Sequence, residues 1–424
     1  AAWRRRHLGL PDIPPSAGDY DLVVVGGGIA GCAACLAADN QGLKVALVHD
    51  RPVIGGNASS EVRVHTEGIH GKGGEILGGL DTKHWPNGDA GAIPDTHRRH
   101  KTMEAAAHTS LFLGWHACAT NTDGSRIVSV DAQHIETGQI KRFHAPLFID
   151  CTGDGWIGYR AGAEYRYGRE AVDQYGEAWD TYGEKWSPKQ ADNLTMGSSL
   201  LWNSERHDNP VPFPEVPWAA DIAGDYAATA GNWMWEYTTE ALHQVDDAEV
   251  IRDHMLRAVY GSFANAKRQP ENANVELEWV GYILGKRESR RLLGDHIYTM
   301  DDAASRRRFP DTVVEERRPI DVHYQVSPGG FLSKALFYDQ GGLYYLPFRS
   351  LYSRTIDNLM MAGRCFSCSH IGLGGPRVMN TCGQMGIATG YAAALCKTHD
   401  TTPRSIYENH LDQLQTLLGY TPGS

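Results

Sequence analysis

Asp21-Leu-Val-Val-Val-Gly26-Gly27-Gly28-Ile29-Ala30-Gly31 decides the fold. Its first half, Asp21 to Val25, is a continuous apolar, β-branched run, the pattern of a parallel strand buried on both faces. Its second half matches G-x-G-x-x-G and turns the chain tightly. Ile29 to Asn40 is rich in alanine and predicts a helix that Gly42 closes, and Lys44 to Val48 predicts a second strand. Strand, glycine turn, helix and strand open a βαβ unit with its ligand crevice at the strand C-terminal ends. The glycine pattern alone is weak, but this context makes it specific for a dinucleotide. Gly26 permits the turn, Gly28 lets a pyrophosphate approach the backbone, and Gly31 lets helix and strand pack closely. The first helical turn, with Ala30, presents free N–H groups and partial positive charge to phosphates.

Outward from this unit, the 424 residues exceed one ordinary core, so two domains are expected. A composition 42% hydrophobic and 21% charged is that of a soluble globular protein, and no run approaches eighteen apolar residues. The net charge of −11 argues against nucleic acid or an anionic membrane as partner. The 8 cysteines have no repeating spacing and are not a disulfide scaffold. Arg4-Arg5-Arg6 is followed by the Pro-rich stretch Pro11 to Pro15 rather than an apolar segment, so no signal peptide is read there. A cytoplasmic location is expected; export stays an open alternative because the sequence begins without Met.

Four segments follow: an extension at 1–19, a first part of the dinucleotide-binding domain at 20–168, an α+β substrate domain inserted at 169–345, and the second part of the binding domain with C-terminal helices at 346–424. In the first part, a Gly- and His-rich stretch runs to about Asp95. A helix is then predicted over Arg98 to Leu113, a hairpin around Glu136-Thr-Gly-Gln139, and a buried strand at Leu147 to Asp150. The insert is rich in tryptophan and predicts helices near Ala248–Tyr260 and Val280–Asp295. Trp233 and Trp235, two apart, would share a face in a strand. A long Ala/Gly-rich helix is predicted from Val378 to Cys396, and Thr402-Pro403 starts a last one.

Further motifs resemble flavoproteins. Gly55-Gly56 follows the second strand, Cys151-Thr152-Gly153-Asp154 resembles the Ala-Thr-Gly-Asp turn of FAD proteins, and Asn358-Leu-Met-Met-Ala-Gly363-Arg364 resembles the strand leading to the isoalloxazine. Arg51-Pro-Val-Ile-Gly-Gly-Asn57 and the stretch to His65, Lys286 to Asp295, and Ala362 to His370 are similar to the FAD-dependent oxidoreductase family. That family is a glutathione-reductase-like branch with a single dinucleotide site, some of whose members carry the label "xanthan lyase". The resemblance covers most of Tyr20 to Cys396. It implies a Rossmann-like α/β fold and an FAD held by Gly26, Gly28, Ala30, Gly31, Arg51, Gly55, Gly56, Asn57, Thr152, Gly153, Asp154, Gly363, Arg364, Val378, Met379 and Asn380. FAD proteins usually place Glu on the adenosine ribose at the end of the second strand. Here His49 stands there and Asp50 follows, so either is the expected ribose ligand.

No second strand–glycine–helix unit is seen, so electrons are expected to come from the substrate and leave to an unidentified acceptor. The place of a C-x4-C redox pair holds Asn57-Ala-Ser-Ser-Glu61, which argues against a disulfide reductase. Cys32 and Cys35 are read as core. Cys365, Cys368, Cys382 and His370 form a conceivable zinc set, but packing is preferred and no metal is expected. His65 and His370 are the expected proton-transfer residues and Arg377 the substrate anchor, with His70 and Arg63 as second choices. Arg287 and Arg291, four apart on the expected helix, are read either as an anion grip or as a solvated face. The expected function is redox chemistry on a small, polar, hydroxyl-bearing molecule, a carbohydrate or glycoside. Redox-neutral elimination through transient oxidation, and a non-catalytic FAD-fold protein, are the alternatives. A homo-oligomer is allowed.

Overall fold

In the computed structural model, residues 6, 7, 9, 13–177, 179–327 and 329–421 are described. Arg4, Arg5 and Pro11 of the extension lie outside them. The centre is a five-stranded parallel sheet in the order Leu359–Met361, Leu147–Asp150, Leu22–Val25, Val45–His49, Thr109–Leu113. Four of these strands are buried along their whole length, as the continuous apolar runs demand.

One face of the sheet is covered by the helix Ile29–Asp39, across which lies the last long helix, Met379–His399. The two backbones meet directly. A Cβ on Gly386 would lie 2.1 Å from the Ala30 carbonyl oxygen, and one on Gly390 2.4 Å from that of Ala34. The other face carries a four-stranded sheet, Ser16–Asp19, Ile140–His144, Arg126–His134 and Trp115–Asp123, packed through Val23, Val25, Val130, Phe143 and Phe148. A third apolar cluster, with Trp202, Trp235, Met255, Phe263 and Phe331, surrounds the helix Ala248–Lys267. Trp186, Tyr298, Val314 and Tyr344 instead join the first cluster, so the segment 169–345 packs into two cores. Among the described residues no helix is long and apolar enough to cross a membrane.

Three expectations are corrected. Structure begins before Tyr20, because Ser16–Asp19 pairs parallel with Ile140–His144. The helix expected at 98–113 is Ala92–Glu104, and Thr109–Leu113 is the edge strand beside Val45–His49, whose backbone groups need that partner. No helix spans 280–295. Gly281, Gly285 and Gly294 interrupt it, and the chain runs through the short strands Val275–Val280, Gly285–Lys286 and Arg291–Leu292. Arg287 and Arg291 therefore share no helix face.

Candidate active site

A cavity of about 730 Å³ opens at the C-terminal ends of the parallel strands. This is the size of a site for a large organic ligand, roughly 300–1,000 Å³. Gly26, Gly28 and Ala30 line it from one side and Gly55, Gly56 and Asn57 from another. A Cβ on Gly56 would stand 3.1 Å from the Gly28 Cα, so side chains here would fill the cradle. Gly28 begins the helix Ile29–Asp39 and Val378 begins Met379–His399. Neither end has a side-chain cap or an acidic residue in its first turn. Both Gly28 and Val378–Met379 border the cavity, so two uncapped, partially positive helix ends meet one ligand space. Gly31 does not border it. A Cβ there would lie 1.8 Å from the Gly26 carbonyl oxygen, so its glycine serves helix–turn packing.

His49 is spoken for by the backbone. Its Nδ1 accepts the Gly27 N–H at 3.0 Å, which leaves Nε2 as the protonated nitrogen, 3.1 Å from the Val53 carbonyl. Burial pushes its pKa down, consistent with this neutral tautomer. Both ring nitrogens are thus engaged, while Asp50 stands half exposed on the cavity wall, near which His116 and Trp156 pack together. Arg51 is also corrected: it turns away from the cavity to Glu61, at 2.6 Å.

Thr152, Gly153 and Asp154 border the middle of the cavity with Gly363, Arg364 and Lys286. Gly153 has φ +73, and a Cβ there would strike Arg364 Nη2 at 2.6 Å. Burial alone would raise the Asp154 carboxyl, but Lys286 at 2.7 Å and Arg364 at 3.3 Å hold it well below the usual carboxylate range. Asn380 lies outside the cavity lining. Its N–H donates to the Glu67 carbonyl and its side-chain amide to that of Gly68, because it ties the helix start to the Gly-rich segment.

The same cavity includes a charged chamber bordered by Arg287, Arg318, Arg377, Asp321, His323 and Glu67. Arg377 Nη2 lies 3.2 Å from Asp321 Oδ2; Arg318 pairs with Asp321 and with Glu67. His65 borders the chamber, with Nε2 3.3 Å from Glu67 Oε1 and its ring against Trp85. His370 does not. It is buried outside the cavity lining, Nδ1 2.8 Å from Glu288 Oε2, in a network where Arg291 joins Glu288 to Glu170. The expected proton-transfer role is not supported: His370 belongs to this buried network and is absent from the cavity lining. Of the second choices, His70 pairs with Asp81, and the Arg63 guanidinium covers Trp279 at 4.2 Å. Trp233 and Trp235 share no face: Trp233 is partly exposed on the chamber wall and Trp235 is core.

Sequence reading missed Asp321, His323, Arg318 and Glu236. The signal was Ile320-Asp-Val-His-Tyr-Gln325, where Asp321 and His323 alternate with buried Ile320 and Val322 and so share one strand face. The zinc set of Cys365, Cys368, Cys382 and His370 does not converge. Among the described residues the one group whose ligand atoms approach one another is Glu205, His207 and Glu276, away from the cavity.

Fold and site together define a flavin-dinucleotide enzyme. The chain belongs to the FAD dependent oxidoreductase family, whose family model matches residues 21–418. FAD is its cofactor, and when bound it supplies a two-electron carrier able to take up or give a hydride. Among curated proteins it is similar to kynurenine 3-monooxygenase of Yarrowia lipolytica, 29% identical over 111 residues. That match covers 26% of this chain and 24% of the relative, about a quarter of each. Among solved structures it is similar to a geranylgeranyl bacteriochlorophyll reductase-like protein from Thermoplasma acidophilum (13% identity, 95% of this chain, 89% of that one, TM-score 0.42). OxyS anhydrotetracycline hydroxylase from Streptomyces rimosus is another (12%, 95%, 65%, TM-score 0.43).

Proposed function

We propose that this FAD enzyme exchanges a hydride with a carbon of a small, polar, hydroxyl-bearing substrate of the carbohydrate class, bound in the charged chamber. The observation that carries the reading is the balance of that chamber. Its guanidinium groups, Arg287, Arg318 and Arg377, are interleaved with the carboxylates Asp321 and Glu67. Guanidinium only donates and carboxylate only accepts, whereas a hydroxyl does both, so a polyol matches the wall group for group. Trp233 adds an indole to the same wall. Gly26, Gly28, Gly55, Gly56, Thr152, Gly153, Gly363, Val378 and Met379 hold the FAD, with Asp50 on the ribose. Arg377 anchors the substrate and His65 contacts it.

The test is the absorption spectrum of the FAD-loaded protein during anaerobic addition of sugars, uronic acids and glycosides. Loss of the visible flavin band on adding one member is the expected result. A flavin that none of them bleaches would overturn the carbohydrate reading. A redox-neutral elimination is the second reading. It is favoured by the lack of a second dinucleotide turn among the described residues: Gly383 to Gly390 lies inside the helix Met379–His399. A product at the oxidation level of the substrate would select it. Membership of an oxidoreductase family removes the reading as a non-catalytic carrier.

A further inference from the structure

His323 sits on the strand Ile320–Gln325, 5% exposed, between two carboxylates. Its Nδ1 is 2.7 Å from Glu236 Oε2. Glu236 is 1% exposed and also accepts from Ser333 Oγ and the Gly197 N–H, with Arg287 Nη1 3.3 Å away. Burial alone would raise the Glu236 carboxyl, but Arg287 and His323 bring it down to about 2. An ionised carboxylate has no hydrogen to give, so the proton of that bond resides on His323 Nδ1. The other nitrogen, Nε2, lies 3.1 Å from Oδ1 of a second carboxylate, Asp321, which also borders the chamber. His323 borders the chamber, Trp233 stands edge-on to its ring at 5.3 Å, and Arg287, Arg318 and Arg377 line the same space.

One nitrogen fixed by a buried carboxylate and the other set beside a carboxylate on the chamber wall is the arrangement of an oriented acid–base imidazole. We propose that His323 is the acid–base catalytic residue of this enzyme, exchanging the proton of a substrate hydroxyl through Nε2, and that Glu236 is the positioning residue that fixes its tautomer. The inference rests on the hydride exchange proposed above. In the oxidative direction the hydroxyl O–H breaks and its proton goes to Nε2. The C–H bond at the same carbon breaks and its hydride passes to the FAD. The C–O single bond becomes C=O, and the two electrons lost by the substrate are those the cofactor gains. In the reductive direction each transfer reverses, and the Arg377–Asp321 pair keeps the oxygen near His323 in both.

Two measurements on the FAD-loaded protein test this. In the first, ¹⁵N-histidine spectra report the His323 tautomer, identified by its loss in His323→Gln. A retained proton on Nδ1 that Glu236→Gln releases is expected; a neutral ring protonated on Nε2 would overturn the assignment without any substrate. In the second, the compound that bleaches wild type is added anaerobically. His323→Gln is expected to slow bleaching on the order of 10²–10⁴-fold, with FAD content unchanged. Added imidazole should partly restore His323→Ala, and Glu236→Gln should lower the limiting rate more than the apparent affinity. Equal bleaching of wild type and His323→Gln would overturn the assignment and leave the hydride-exchange reading standing. If no sugar, uronic acid or glycoside bleaches wild type, that reading fails instead, and the tautomer decides the assignment alone.

Discussion

His49 and Asp50 are adjacent and do unlike work. The imidazole holds the glycine turn through Gly27 and Val53, while the half-exposed carboxylate stands on the cavity wall, 3.4 Å from the His49 ring. Asp50→Ala should therefore weaken FAD binding about tenfold, the loss of one hydrogen bond to a charged group, with the melting temperature of the FAD-free protein unchanged. His49→Ala should lower the stability of the FAD-free protein itself by roughly 1–3 kcal/mol, because a buried N–H and carbonyl lose their partner. FAD titration and urea unfolding of both variants separate the two effects, and similar FAD-free stabilities would remove the distinction. The sequence showed the departure from Glu at position 49 but not its consequence. Which ring nitrogen is free depends on the Gly27 amide and the Val53 carbonyl, and no spacing rule reports that.

Among the elements, the short strand Arg291–Leu292 shows how a local rule loses to burial. Lys286 to Asp295 is charged and reads as a helix with a solvated side. In the fold Arg291 is fully buried, donating to Glu170, Glu288 and the carbonyls of Gly168 and Cys368. A buried guanidinium needs all its donors met, and the segment gives up helical pairing to meet them. The same network claims His370, so a histidine near the cofactor in sequence is structural in space. Beside it, Glu177 accepts from Ser369 Oγ and the Met300 N–H. Burial, with Glu170 nearby, pushes its carboxyl up from 4.5 to about 7. Between those values the folded chain binds more protons than the unfolded one, so this contribution is complete below pH 4.5 and is lost as pH rises to about 7. The loss is on the order of 3 kcal/mol. Glu177→Gln keeps a neutral group there, and its stability relative to wild type should rise across that window. Chemical denaturation at pH 5 and pH 8 checks this; a constant difference between the two proteins would contradict it.

At the scale of the molecule, the parallel sheet was legible because each central strand is a contiguous apolar run, and the FAD turn because its glycines are consecutive. The chamber was not. Glu236, Arg287, the pair Asp321 and His323, and Arg377 come from four separate segments and meet only once the strands Glu236–Tyr237 and Ile320–Gln325 are in place. The cofactor space likewise joins Gly28, Gly56, Gly153, Lys286, Gly363 and Val378, so FAD binding links parts of the chain far apart. FAD at about 1,000 times its dissociation constant should stabilise the fold by about 4 kcal/mol. A thermal melt with and without FAD measures this, and an unchanged melting temperature would mean that FAD does not bind the folded chain in preference to the unfolded one.

The crossing of the helices Ile29–Asp39 and Met379–His399 then takes on a second meaning. Gly386 and Gly390 press against the Ala30 and Ala34 carbonyls, leaving no room for the helices to come closer or for a side chain to enter between them. Their two positive ends are thereby set at a fixed separation, and the pair works as a caliper. A ligand long enough to span the gap would be held at both tips and a shorter one at a single tip, so the pair would select by length before any single atom is read.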